Sequence, residues 1–93
     1  MKRKIKCLDK YEAEKLASMI FIKEGKEMYI TEILNVIDNE IVVMLKDKSA
    51  HSILLKDDSQ VEFFADFIQS VFENQHKIVN TSTYEDEVEI WKE

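Results

Sequence analysis

The sequence predicts an α+β fold: an N-terminal helix, a three-stranded antiparallel β-meander, an amphipathic helix packed on that sheet, and a short C-terminal helix or strand. Three observations predict it. Apolar residues recur at helical spacing over 13–21 and again over 61–72. Between these stretches lie three β-branched runs joined by short polar turns, and turns that short join antiparallel strands, because parallel ones need long crossovers. The 93 residues, 45% of them hydrophobic, suffice for one core and not two. With no Pro and a single Gly, no linker divides the chain, so residues 1–93 read as one domain.

Residues 1–8 form either an arm or an edge strand. Asp9 opens the first helix, and Asp9 with Glu12 has the spacing of a capping box. Ala13, Leu16, Ala17, Ile20 and Phe21 share its apolar face, and Gly25 suits the position just past its end. The stretch Met19 to Ile22 is also β-prone, so a hairpin turning at Glu24-Gly25-Lys26 competes with the helix. The strand runs follow at Glu27 to Ile37, Glu40 to Lys46 and Ala50 to Leu55, with polar turns at Asp38-Asn39 and Lys46 to Ser49. Ile41 to Leu45 is apolar on both faces and should be the most buried strand.

The second helix starts near Asp57-Asp58-Ser59, with Ser59 and Glu62 as its capping box. Val61, Phe64, Ala65, Phe67, Ile68, Val71 and Phe72 form its apolar face; Glu62, Asp66, Gln69, Ser70 and Glu73 form the other. His76 follows its C-terminal end, where a cation is favoured. Residues 80–93 make an acidic C-terminal segment. There Ser82 with Glu85 suggests a helix start, while Val88 and Ile90 alternate as in a strand. No internal repeat is visible in the sequence.

Little in the chain points to catalysis, a cofactor or a metal. Ser49, Ser52 and Ser59 lie near His51 without a nucleophile elbow around them. Cys7, His51 and His76 are far apart and lack metal-ligand spacing. Phosphate loops need more glycine than Gly25. The chain reads as a non-enzymatic binding protein. Cys7 has no internal partner for a disulfide, and no apolar stretch follows the basic Met1-Lys2-Arg3-Lys4 start, so a bacterial cytoplasm is the expected location.

Charge is the informative feature. Residues 1–56 carry 11 basic and 9 acidic side chains, a net of +2. Residues 57–93 carry 2 basic and 10 acidic ones, a net of −8. Such a field repels phosphate backbones and attracts basic surfaces. The order helix, three strands, helix matches double-stranded RNA-binding domains. Their phosphate-binding lysines would fall here at Lys56-Asp57-Asp58-Ser59-Gln60, where two carboxylates would face the phosphates instead. Direct nucleic-acid binding is therefore not expected; membrane insertion is not expected either, because no run of about 18 apolar residues exists, and a homodimer stays open.

The stretch Val61-Glu62-Phe63-Phe64-Ala65-Asp66-Phe67-Ile68, followed by Tyr84-Glu85-Asp86-Glu87, resembles the small acidic phage proteins that inhibit Cas9, the type II anti-CRISPR proteins. The resemblance implies an N-terminal helix, a three-stranded antiparallel sheet and C-terminal helices. It also implies an inhibitor that places carboxylates where a Cas9-like nuclease reads duplex DNA. Asp57, Asp58, Glu85, Asp86, Glu87 and Glu89 are the candidate phosphate substitutes. Tyr84 and Trp91 are the candidate aromatic anchors. The alternative is a self-associating accessory module without enzymatic activity.

Overall fold

The computed structural model describes residues 2–20, 29–74 and 78–93. Phe21, Gly25 and His76, each given a place above, lie outside these residues, as does the choice between helix and hairpin at 21–26. Among the described residues, eight elements follow in order: β1 (Lys2–Lys6), α1 (Lys10–Ile20), β2 (Ile30–Ile37), β3 (Glu40–Leu45), β4 (Ala50–Leu54), α2 (Asp58–Asn74), β5 (Ile78–Tyr84) and β6 (Glu87–Lys92). The α+β class holds, as do the meander β2-β3-β4 and both helices. Each end takes one of the two forms the sequence left open, and together they add a second sheet that it did not predict. Residues 2–6 are a strand, and the C-terminal segment is a β-hairpin with no helix. That hairpin replaces the C-terminal helices the anti-CRISPR layout implies, and β1 with β5 and β6 extends the chain beyond the RNA-binding layout.

The strands form two antiparallel three-stranded sheets, β1-β6-β5 and β2-β3-β4. The C-terminal hairpin alternates along β6: Val88, Ile90 and Lys92 point inward while Glu87, Glu89 and Trp91 point outward, the period of two of a half-buried strand. β3 alternates likewise rather than burying both faces. The inward residues of both sheets and both helices make one core, with Phe64, Ile5, Leu16 and Ile41 among its largest fully buried side chains. α1 lies against β4, β5 and β6; α2 lies against β1 and β3.

The order β-α-β-β occurs twice, in residues 2–45 and 50–92, and the two copies match in detail. Advancing by 48 positions carries Ile5, Asp9, Glu14, Ala17, Ile20 and Ile30 onto the identical Ile53, Asp57, Glu62, Ala65, Ile68 and Ile78. The hydrogen bonds repeat too. Leu8 N–H donates to the Leu54 carbonyl at 3.0 Å, and Lys56 N–H donates to the Lys6 carbonyl at 3.0 Å. Cys7 N–H donates to the Asp86 carbonyl at 2.7 Å, and Leu55 N–H donates to the Asn39 carbonyl at 2.8 Å. Cys7 and Leu55, which are 48 apart, pair with each other in a single antiparallel bridge. Two equivalent residues can meet that way only across a two-fold axis, so the axis of the pseudo-symmetry passes between them.

Each sheet combines one copy's hairpin with the other copy's first strand. Neither copy can therefore close a sheet alone. β2 carries two register shifts and β5 one, so the offset between copies falls from 48 to 47 after the bulge at Leu34. At the second β2 bulge, Asn35 Oδ1 accepts the N–H of Val36; at the β5 bulge, Asn80 Oδ1 accepts the N–H of Thr81, both at 2.9 Å. β2 and β5, each at the edge of its sheet, thus carry bulges, a known way to discourage edge-to-edge pairing. Among the described residues, no helix is long and apolar enough to cross a membrane.

Candidate functional site

α2 begins where Asp57 caps it. Asp57 Oδ1 accepts the Gln60 N–H at 2.9 Å and the Ser59 hydroxyl at 2.7 Å. These bonds hold the carboxyl below the usual aspartate range. The cap therefore lies two residues before the Ser59–Glu62 pair expected above, and Ser59 supports it from the helix's first turn. Asp9 plays the same part for α1, accepting the Glu12 N–H at 2.9 Å.

One turn apart along α2 stand Asp58, Glu62 and Asp66, at the i, i+4 and i+8 positions that share a face. The β2–β3 turn brings Asp38 up beside them, with φ of 53°. The four carboxylates, with Val36 and Ala65, line an open depression of about 370 Å3. None of the four pairs with a basic side chain among the described residues.

The pseudo-repeat supplies an internal comparison. At the positions in α1 equivalent to Asp58, Glu62 and Asp66 stand Lys10, Glu14 and Ser18. Lys10 and Glu14 form an ion pair at 4.0 Å, and Ser18 donates its hydroxyl to the Lys15 carbonyl at 2.7 Å. The first copy balances its charge on this face. The second concentrates negative charge there.

The remaining candidates of the sequence fall elsewhere. Tyr84, 74% exposed, Glu85 and Asp86 sit at the β5–β6 turn, with Glu85 at φ of 53° like its equivalent Asp38. That turn bonds to Cys7, at the start of the α1 side, whereas the Asp38-Asn39 turn bonds to Leu55, just before α2. Asp57 and Asp58 are thus grouped with Asp38, not with Glu85 and Asp86. Glu87, Glu89 and Trp91 lie on the outer face of β6. Lys4 Nζ is 3.5 Å from Glu87 and 3.9 Å from Glu89, and Lys2 Nζ is 3.7 Å from Glu89. Lys2 also stands 5.8 Å from the Trp91 ring centre. Residues 2–6 are accordingly a strand whose lysines offset this acidic face. Trp91 is half-buried on its own domain.

No family model matches the chain, and neither the curated proteins nor the solved structures include a match. The chemistry of the site therefore rests on the side chains themselves.

The serine near His51 is not arranged as a nucleophile. Ser49 Oγ donates to Asp47 Oδ1 and lies 2.9 Å from His51 Nε2. With its proton committed to Asp47, the hydroxyl accepts from the imidazole, the reverse of the transfer that activates a serine. Asp47 is held low by the Ser49 hydroxyl and amide. The group locks the β3–β4 turn. Cys7 is fully buried, and that burial, with the nearby Glu12, Asp86 and Asp9 carboxylates, pushes its thiol up to about 12. Among the described residues, no three His, Cys, Asp or Glu side chains gather as metal ligands.

Sequence reasoning placed Glu62 and Asp66 on the polar face of α2 and Asp38 in a turn, without joining them to Asp58. The i, i+4, i+8 spacing of Asp58, Glu62 and Asp66 was the available signal. Asp38 required the topology.

Proposed function

We propose that this chain is a small, non-enzymatic acidic protein that binds the basic, nucleic-acid-binding surface of another protein and blocks it. The observation that carries the reading is the group Asp38, Asp58, Glu62 and Asp66: four carboxylates around one depression, with no cation paired to them among the described residues. Residues four apart on a helix rise by about 6 Å, so the α2 carboxylates form an evenly spaced acidic row. Arginine forks that normally grip phosphate oxygens grip carboxylate oxygens with similar geometry. Concentrating like charge on one face costs stability, and a basic partner would offset that cost.

The partner that the sequence resemblance favours is a Cas9-like nuclease, with the chain encoded by a phage or mobile element and acting in a bacterial cytoplasm. The test is DNA cleavage by such a guide-loaded nuclease in the presence of the chain. Wild type is expected to slow cleavage, and Asp58→Lys/Glu62→Lys/Asp66→Lys to lose that effect. The equivalent-face control Glu14→Lys/Ser18→Lys is expected to retain it. Equal inhibition by the triple variant would remove the proposal.

The second reading, a self-associating accessory module, is favoured by exposed Leu34, Val36 and Ile37 on edge strand β2. Light scattering separates the readings: a stable dimer with no affinity for the nuclease supports the second.

A further inference from the structure

We propose that two copies of this chain exchange halves, the first β-α-β-β unit of each pairing with the second unit of the other, through the turn Lys46 to Ser49. The pairing pattern carries this. The β1–β6 and β3–β4 pairs and the Cys7–Leu55 crossing all join one unit to the other. Within a unit, among the described residues, only the β2–β3 and β5–β6 hairpins pair strands. A unit supplied by a second copy presents the same partners in the same register. The exchanged dimer therefore repeats the monomer's contacts everywhere except at the connection.

That connection is one short turn under opposing influences. Lys48 holds φ of 73°, a left-handed conformation that a β-carbon disfavours. Holding it closed are the Leu45 N–H bond to the Ser49 carbonyl and the Lys48 N–H bond to the Leu45 carbonyl, both at 2.9 Å, and the Asp47 carboxylate that accepts from Ser49. Opening the turn relieves Lys48 and lets β3 run straight into β4. Along that extended strand the β3–β4 register, in which Val43 faces His51 and Met44 faces Ala50, continues so that Asp47 meets its own copy.

The test uses the full chain with Val42→Cys and Ser52→Cys, register partners on β3 and β4 whose side chains point outward. Cys7 is fully buried and stays out of the reaction. The protein is refolded at micromolar and at millimolar concentration, oxidised, and run on a non-reducing gel. A closed turn gives a disulfide within one chain; exchange gives a covalent dimer. Exchange predicts a dimer band that grows with refolding concentration. Adding Asp47→Ala, which removes the turn's carboxylate, should raise the band several-fold. Adding Lys48→Gly, which removes the left-handed penalty, should lower it several-fold. A monomer band alone at both concentrations overturns the proposal. So does a dimer by light scattering whose engineered disulfides remain within each chain, since that dimer would use another surface.

Discussion

Asp9 and Asp57 occupy equivalent positions and cap their helices in the same way, each accepting a backbone N–H three residues on. Asp57 is held below its ordinary value, so its contribution to stability is present in full above that value and is lost as pH falls through the lower folded one. Asp57→Ala should lower the melting temperature at neutral pH more than Ser59→Ala does. The gap between Asp57→Ala and wild type should narrow below about pH 4, near the usual aspartate range. Thermal unfolding monitored by circular dichroism across that window checks both statements. Cys7 makes a separate prediction. With its thiol pushed up to about 12 and fully buried, it should resist a thiol reagent at mildly alkaline pH and react only on unfolding. Rapid labelling of the native protein would contradict this.

At the scale of the element, α2 was the most legible part of the chain. Val61, Phe64, Phe67, Ile68 and Val71 are buried as their spacing predicts, and Glu62, Asp66 and Gln69 are exposed. Phe64→Ala should cost about 3–5 kcal/mol by urea unfolding. Phe63→Ala, at a position 42% exposed, should change stability by about 0.5 kcal/mol or less. The N-terminus of α2 was legible to within two residues, because Asp57, Asp58 and Ser59 all suit a cap and local preference does not choose among them. β6 was ambiguous for a different reason. Tyr84, Val88 and Trp91 fit a helical face, while Val88 and Ile90 fit a strand; pairing with β1 decided for the strand, and that pairing joins residues far apart in sequence. β1 was left open between an arm and an edge strand for the same reason.

At the scale of the whole molecule, the duplication was the least legible feature. Only a few positions are identical, and the bulge at Leu34 changes the offset between copies partway through β2. What the copies share is geometry: the capping aspartates, the two turns at φ of 53° and the bonds around Cys7 and Leu55. Their differences carry the functional reading. Lys92 stands where Leu45 stands in the first copy, only 7% exposed and 5.5 Å from the Phe67 ring. Asp58 and Asp66 stand where Lys10 and Ser18 stand, which turns a balanced helix face into an acidic one. The sequence showed that acidity gathers from residue 57 onward. It did not show that Glu87 and Glu89 are matched by Lys4 and Lys2, because that depends on β1 lying beside β6.

The proposed binding of a basic surface by the α2 face rests on charge. The measurement that tests it most directly is the affinity of the chain for a guide-loaded Cas9-like nuclease, titrated over a series of salt concentrations. Wild-type affinity should fall steeply with salt, and Asp58→Lys/Glu62→Lys/Asp66→Lys should show a much weaker, flatter dependence. Wild-type binding that ignores salt, or a triple variant that binds as wild type does, would contradict it.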